Sequence, residues 1–158
     1  MPQTIGKRTI LSGFTGAVFI AAGLSVNFEG EKLRQYFDPP HVATICFGHA
    51  TGVYVGQVAT HEQCMGYLKG DLAIAEKAVL RLVKVPLTDE RRAALIDFVF
   101  NTGEGTLAKS TLLKKLNAGD TVGACQELKR FVYSGGQKLP GLVKRREAEY
   151  QLCVEGLE

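Results

Sequence analysis

The amino-acid sequence predicts an α+β domain that is mainly helical, contains one small antiparallel sheet and is preceded by an N-terminal apolar helix. Three observations predict this fold class: an uncharged run over 9–28, a β-prone segment over 36–58, and apolar residues at helical spacing over 60–154. The chain has 158 residues, enough for one hydrophobic core and too few for two large ones. We therefore expect an N-terminal segment, residues 1–28, followed by one domain, residues 29–158.

The uncharged run has about the length, roughly 20 residues, that a helix needs to cross a membrane. Lys7 and Arg8 precede it and Glu29 and Glu31 follow it. The positive-inside rule then keeps the N-terminus in the cytoplasm and exports the rest. Because Gly, Ala, Ser and Thr are abundant in the run, residues 9–28 would tether the chain to the inner membrane only weakly. A cleaved signal peptide, with a small-residue cleavage site at 21–23, and a buried core helix are the alternatives.

The sheet is expected between Tyr36 and Val58, where β-branched and aromatic residues alternate with turn-forming prolines and glycines. A long helix should begin at the capping box formed by Thr60 and Gln63 and end before Pro86. Beyond it, Thr88 starts a second helix that ends near Gly103. Further helices are expected over 110–117, 121–132 and 140–154.

Four cysteines, Cys46, Cys64, Cys125 and Cys153, all lie beyond the apolar run. An even number in an exported chain indicates two disulfides, although four cysteines allow three pairings. Cys46 and Cys64 flank the sheet and the start of the long helix, and the other two lie on the last two predicted helices. We therefore predict the pairs Cys46–Cys64 and Cys125–Cys153. The CxxC spacing of zinc and redox sites is absent from the sequence, so neither a metal nor a cofactor is expected.

The net charge of +3 and the pI near 8.7 make the chain mildly basic. This balance suits an anionic partner such as a cell wall. It lacks the dense basic stripe of a nucleic-acid-binding protein, so no nucleic acid is expected as a partner.

The candidate chemistry lies at Glu29, Asp38 and Thr44. Glycoside hydrolysis needs one carboxylic acid that protonates the leaving oxygen and one carboxylate that helps a water attack. A threonine hydroxyl can hold that water because it both donates and accepts hydrogen bonds. A hairpin that folds back would bring the three residues around one cleft.

The spacing from Phe28-Glu29-Gly30 through Asp38 and Thr44 to Gly48-His49 resembles the catalytic signature of phage-type lysozymes, glycoside hydrolase family 24. Three later blocks resemble that family in the same order: 98–103 (FVFNTG), 110–119 (STLLKKLNAG) and 141–149 (GLVKRREAE). The apolar N-terminus resembles the signal-anchor-release segment of exported endolysins of lambdoid phages.

The resemblance implies a lysozyme-like fold and an endolysin that hydrolyses the β-1,4 bond between N-acetylmuramic acid and N-acetylglucosamine in peptidoglycan. It implies that Glu29 is the general acid, Asp38 the second carboxylate and Thr44 the residue that positions water. The enzyme would be a periplasmic monomer, tethered to the host inner membrane before its release. A lytic transglycosylase is the nearest alternative.

A peptidoglycan amidase or peptidase is a further alternative, with His49 as a zinc ligand or as the base for a Cys46 nucleophile. We favour structural roles for both residues: a hydrogen-bonded histidine that braces the sheet, and a disulfide cysteine. Arg145, Arg146 and Glu149 are expected to form an internal ion pair on the last helix. Asn101 could line the cleft, but capping accounts for it adequately.

Overall fold

The computed structural model describes residues 13–157 and has the predicted mainly helical α+β architecture. In chain order its elements are α1 (Gly16–Ser25), β1 (Lys32–Phe37), β2 (Ala43–Cys46), α2 (His61–Leu82), α3 (Asp89–Thr102), α4 (Glu104–Lys109), α5 (Thr111–Asn117), α6 (Thr121–Glu127), a 3-10 turn (Leu128–Arg130), β3 (Tyr133–Ser134), β4 (Gln137–Lys138) and α7 (Pro140–Val154).

Helix α1 lies in the core of the domain, packed against α2 and α3. Thr15 caps it, with its hydroxyl accepting from the Val18 backbone N–H at 3.2 Å. The face that α1 buries consists of small residues: Ala17, Val18, Ala21, Ala22 and Ser25. Small side chains let the backbones of two helices approach closely, so this face fits against α3.

The larger apolar residues of the N-terminal segment lie elsewhere. Phe19 is 44% exposed, and Phe14 and Leu24 are only partly buried. Phe19 therefore stays largely at the surface of the domain, because the small face of α1 occupies the contact with α3. Residues 1–12, including Ile10 and the start of the predicted 9–28 helix, lie outside the described residues.

Within residues 13–157, none of the helices combines the length and apolar character that a membrane span requires. Of the three alternatives for the uncharged run, a core helix is the arrangement that residues 16–25 adopt in this folded domain. The membrane anchor stays a prediction about another state of the chain.

Strands β1 and β2 form the predicted antiparallel hairpin. Tyr36 pairs with Thr44, and the register shifts between Lys32 and Tyr36. An isolated bridge between Arg34 and Val58 holds the following loop along the other side of β1. Strand β2 lies within the expected segment, but β1 begins at Lys32, four residues before the expected start at Tyr36.

The two principal helices start at the predicted caps. Thr60 and Gln63 form a reciprocal capping box at the start of α2, and the Thr88 hydroxyl accepts from Arg91 N–H at 3.1 Å at the start of α3. Helix α3 ends at Gly103, whose φ of 93° lies in the region that favours glycine. These local signals are confirmed.

Three short elements depart from the expected pattern. Helix α4 was not expected, and neither was the second antiparallel ribbon, β3 with β4. The helix predicted over 121–132 ends at Glu127 and continues as the 3-10 turn. The described part of the chain therefore has a second small sheet in addition to the predicted one.

Both predicted disulfides are present. Cys46–Cys64 joins the end of β2 to the first turn of α2, and Cys125–Cys153 joins α6 to α7. The first therefore fastens the hairpin to the helical body, whereas the second fastens two helices of the body to each other.

Candidate active site

Glu29 lies just after α1 and is tied to the end of that helix. Its backbone N–H donates to the Ser25 carbonyl at 2.9 Å. Its side chain is 26% exposed, and Oε1 accepts a hydrogen bond of 2.7 Å from Arg145 Nη1. A Cβ placed on Gly48 would lie 3.9 Å from Oε2, so the turn after β2 passes directly beside the carboxyl group.

Arg145 is held from its other side by Asp97 in a bidentate pair. Arg145 Nε donates to Asp97 Oδ2 at 2.9 Å, and Nη2 donates to Oδ1 at 2.8 Å. The Ser25 hydroxyl also donates to Asp97 Oδ1, at 2.5 Å. All three side chains are buried, so the carboxyl group of Glu29 rests on an ionic network inside the helical body.

The charges in this network are mutually stabilised. Burial acts to raise the pKa of Asp97, but hydrogen bonds from Arg145, Glu149 and Ser25 outweigh it, and the pKa is lowered. Burial likewise acts against the charged form of Arg145, yet its hydrogen bonds and attraction to Asp97 and Glu29 raise its pKa. Arg145 and Asp97 therefore form a permanently charged pair.

Glu149 lies at the same network but behaves differently. Burial, together with the hydrogen bond that it shares with Asp97, raises the pKa of Glu149 well above its usual value. Arg146 Nη1 lies 3.1 Å from Glu149 Oε2, and Arg145 Nε lies 4.0 Å from Oε1. The predicted pairing of an arginine with Glu149 is confirmed, but the principal partners of Arg145 are Asp97 and Glu29.

Asp38 and Thr44 belong to the hairpin. Asp38 Oδ1 accepts from the Val42 N–H at 2.7 Å, and its backbone N–H donates to the Val42 carbonyl at 3.1 Å. The buried Thr44 hydroxyl donates to the same carbonyl at 2.8 Å. A short loop from Asp38 to Val42 therefore fixes both side chains.

The pKa of Tyr36 is affected by both carboxyl groups. Burial raises the pKa of the Tyr36 phenol, and the nearby negative charges of Glu29 and Asp38 raise it further. Tyr36 pairs with Thr44 across the hairpin. Tyr36 therefore lies within electrostatic range of both Glu29 and Asp38 and opposite Thr44 in the hairpin.

A pocket of about 330 Å³ lies between α3, α4, β3 and α7. Its lining includes Asn101, Thr102, Phe131, Tyr133 and Leu142. Asn101 Oδ1 also accepts a hydrogen bond from Arg146 Nη2. The sequence interpretation preferred capping to a place in the cleft for Asn101, whereas the structure joins Asn101 to both the ionic network and this pocket.

His49 and Cys46 have the structural roles that we favoured. His49 Nδ1 is 2.8 Å from Asp71 Oδ2, which connects the hairpin to α2, and the ring stacks on Tyr67. Cys46 is disulfide-bonded. Neither a zinc site nor a cysteine nucleophile is formed by these two residues.

Sequence reasoning missed Ser25, Asp97 and the link from Arg145 to Glu29. One signal was available. Asp97 is the lone charge in the apolar stretch Ala93–Phe100 of a predicted helix, and a buried charge needs a partner. The sequence alone could not say that this partner is Arg145, which lies 48 residues away along the chain.

Comparisons with known proteins agree with this geometry. The phage lysozyme family model matches residues 26–149. The SAR-endolysin of Bacteriophage PS119 is 38% identical over 159 residues, covering 95% of each chain. The active form of the P1 phage endolysin Lyz superposes with a TM-score of 0.78 at 30% identity, over 95% of this chain and 92% of that one.

The secreted inactive form of the same P1 endolysin superposes with a TM-score of 0.53 at 30% identity, over 70% of this chain and 79% of that one. The fold of residues 13–157 is thus more similar to the active form than to the inactive form. With a lysozyme-like helical body, two carboxyl groups gathered beside a small hairpin, and a family match over most of its length, the chain belongs to the phage lysozyme family.

Proposed function

We propose that this chain cuts peptidoglycan by general acid catalysis, with Glu29 as the acid and with Asp38 and Thr44 holding the attacking water. As a member of the phage lysozyme family it is an endolysin with muramidase activity in cell lysis. The bond cut is the β-1,4 bond between N-acetylmuramic acid and N-acetylglucosamine. The observation that carries the proposal is the position of Glu29: Arg145 holds its Oε1 at 2.7 Å, and its Oε2 lies beside Gly48, at the end of the hairpin that fixes Asp38 and Thr44.

Glu29 suits the role of acid because it is positioned firmly and partly open to solvent. Arg145 fixes Oε1, and Gly48, which lies beside Oε2, has no side chain to place against it. A proton on Oε2 could therefore pass to a glycosidic oxygen while Oε1 keeps its hydrogen bond. Holding a catalytic group in one orientation reduces the entropic part of the barrier.

Thr44 suits the role of water holder because of the direction of its hydrogen bond. Its hydroxyl proton is already donated to the Val42 carbonyl, so towards a water the oxygen acts as an acceptor. A water that donates one O–H to Thr44 and the other to the Asp38 carboxylate keeps a lone pair for attack on the anomeric carbon. Asp38 then takes up the proton that the water loses.

The test replaces Glu29 with Gln, which keeps the size of the side chain but cannot act as an acid. We expect lysis of outer-membrane-permeabilised cells to fall ~10²–10⁴-fold, the usual loss when general acid catalysis is removed. Glu31→Gln is the matched control, because Glu31 is exposed, two residues away and paired with His61 at 2.5 Å. Activity above a tenth of wild type in a folded Glu29→Gln protein would contradict the assignment.

A lytic transglycosylase would use one acid and an intramolecular attack in place of water. Mass spectrometry of digested wall separates the two reactions, since hydrolysis leaves reducing ends and transglycosylation leaves 1,6-anhydro sugars. The well-defined positions of Asp38 and Thr44 favour hydrolysis.

We further propose that residues 9–28 tether the exported chain to the inner membrane, and that the packing of α1 in the domain is the released and active arrangement. The greater similarity to the active P1 endolysin supports this, as does the name SAR-endolysin of the PS119 relative. While α1 is in the bilayer, the Ser25 hydroxyl is away from Asp97 and Glu29 is away from Arg145, so the site is incomplete. Release completes it.

A stronger anchor tests the tether, and the structure selects the residue to change. Leu at Gly16 would meet Asp89, because even a Cβ there lies 3.0 Å from Oδ2, and Gly13 has a φ of 72°. Gly23 is exposed, with open space around its Cα. Gly23→Leu should therefore retain the protein longer in membranes and delay lysis. Prompt lysis by a membrane-retained Gly23→Leu protein would contradict the proposal.

A further inference from the structure

We propose that Ser25 is a positioning residue for Glu29: its hydroxyl docks the end of α1 onto Asp97, and through Asp97 and Arg145 this contact orients the carboxyl group of the acid. The inference rests on the proposed role of Glu29 and adds the device that couples the docking of α1 to that residue.

The contacts form a closed ring. The Ser25 hydroxyl donates to Asp97, which also accepts hydrogen bonds from Nε and Nη2 of Arg145. Nη1 of Arg145 donates in turn to Glu29 Oε1. Glu29 returns to Ser25 through its backbone N–H, which donates to the Ser25 carbonyl at 2.9 Å. One residue of α1 thus holds the backbone of Glu29 directly and its side chain through two partners.

The ring of hydrogen bonds is buried, so its members are shielded from solvent. Ser25 and Asp97 have no exposed surface, and Arg145 is 4% exposed. Within such a site, bulk water cannot substitute for a missing hydroxyl, and a hydrogen bond to a charged group is among the stronger kinds. Without Ser25, Asp97 loses a donor, and the position of Arg145 is less strictly defined.

The other end of α1 offers a natural comparison. There the Thr15 hydroxyl donates to Glu76 Oε2 at 2.6 Å, so both ends of the apolar helix are fastened by a hydroxyl on a carboxylate. Glu76 is also largely buried, with Arg92 Nη1 3.9 Å away. None of the contacts described for Thr15 or Glu76 leads to Glu29. The Thr15 contact therefore serves docking alone, whereas the Ser25 contact serves docking and orientation.

The experiment compares Ser25→Ala with Thr15→Ala in the purified full-length protein, on soluble glycan strands, at a temperature where circular dichroism shows both variants folded. Thr15→Ala also removes the helix cap, so it should lower stability at least as much. We expect Ser25→Ala to lower kcat about tenfold with little change in KM, the cost of about one hydrogen bond in the transition state. Thr15→Ala should keep kcat within about twofold of wild type. Equal kcat values in the two variants would overturn the proposal.

A second measurement is the pH dependence of kcat, which depends on the charges near Glu29. Around Glu29 the ionisable groups are Arg145, Asp97, Arg146, Glu149, Tyr36 and Asp38. Asp97→Asn removes the charge that neutralises most of Arg145, so the positive charge of Arg145, 2.7 Å from Glu29 Oε1, more strongly favours the ionised form of Glu29. The alkaline limb of the pH profile of kcat should move to lower pH. A purely structural role for Asp97 would leave that limb in place, and an unmoved limb would contradict the proposal.

The two proposals fail in different ways. If Glu29→Gln remains active, the assignment of the acid is wrong. If Glu29→Gln is inactive but Ser25→Ala and Thr15→Ala behave alike, the assignment stands and only the positioning role of Ser25 is wrong.

Discussion

The two halves of the candidate site are held in different ways. Glu29 depends on partners that are distant in sequence, with 116 residues separating it from Arg145 and 72 separating Ser25 from Asp97. Asp38 and Thr44 are held by neighbours four and two residues away. Glu29 is held by a buried ionic network of the helical body, whereas Asp38 and Thr44 are held by a local loop of the hairpin.

Because of this difference, substitutions in the two halves should change the stability and the activity of the protein to different extents. Changes to the partners of Glu29 disturb buried charges and should affect both the free energy of unfolding and the rate. Changes to the hairpin side chains should affect the rate while leaving most of the stability intact. The four predictions below test that separation.

The largest expected effect is that of Arg145→Met, which leaves Asp97 buried without its counter-charge. We expect the free energy of unfolding at pH 7 to fall by ~3–5 kcal/mol, the usual cost of breaking a buried ion pair from one side. Urea unfolding measures it. Arg130→Met is the control, because Arg130 is exposed and its partner Glu127 keeps Lys115, so the loss should stay below ~1 kcal/mol. Similar losses in both variants would show that the ionic network is not a special source of stability.

The disulfides should differ in their effect on activity. Replacing either pair with alanines should cost about 2–4 kcal/mol in unfolding free energy. Cys46 lies two residues after Thr44, so loss of Cys46–Cys64 should also lower activity under conditions where the protein stays folded. Loss of Cys125–Cys153 should leave kcat nearly unchanged. An equal fall in kcat in the two double variants would contradict the separation between hairpin and body.

Thr44→Val keeps the shape of the side chain and removes the hydroxyl. Because the Val42 carbonyl still accepts from Asp38 N–H, the unfolding free energy should change by only ~1 kcal/mol or less. Lytic activity should nevertheless fall about tenfold or more, the cost of one or two hydrogen bonds to the water. Thr51→Val, in the exposed loop that follows, serves as control. A fall in stability without a fall in rate would make Thr44 a structural residue.

The smallest effect concerns pH and Glu149→Gln. Because the pKa of Glu149 is raised by burial, its contribution to stability is complete below pH 4.5, the ordinary value, and is lost as pH rises through the folded-state pKa. The stability of wild type relative to Glu149→Gln should therefore decline from pH 4 towards pH 8. Thermal unfolding across this range measures the difference, and a difference that grows with pH would contradict the raised pKa.

Sequence alone predicts what local contacts decide. The cap at Thr60, the cap at Thr88 and the end at Gly103 were all predictable, because each depends on residues within one turn. The hairpin and the two disulfides followed from turn signals and from the elements that carry the cysteines. The family resemblance then connected Glu29, Asp38 and Thr44.

What depends on tertiary contacts was not predictable in the same way. The apolar pattern of α1 does not say which face is buried, since almost every residue in it is apolar or small. The small face is buried because α3 leaves little room. Likewise, the position of Asp97 in an apolar stretch indicated that it needs a buried partner, but not that this partner is Arg145. The packing of α3 on α7 determines which residue pairs with it.

The place of α1 in the core also matters for anyone who prepares this enzyme. Removing residues 1–28 is an obvious way to obtain an easily purified chain without its apolar segment. That shortened chain would lack Ala17, Val18, Ala21 and Ala22, leaving the surface of α3 that they cover open to water. A preparation made in this way is expected to aggregate or to lose activity, so the apolar segment has to stay in the product and be managed with detergent or by refolding.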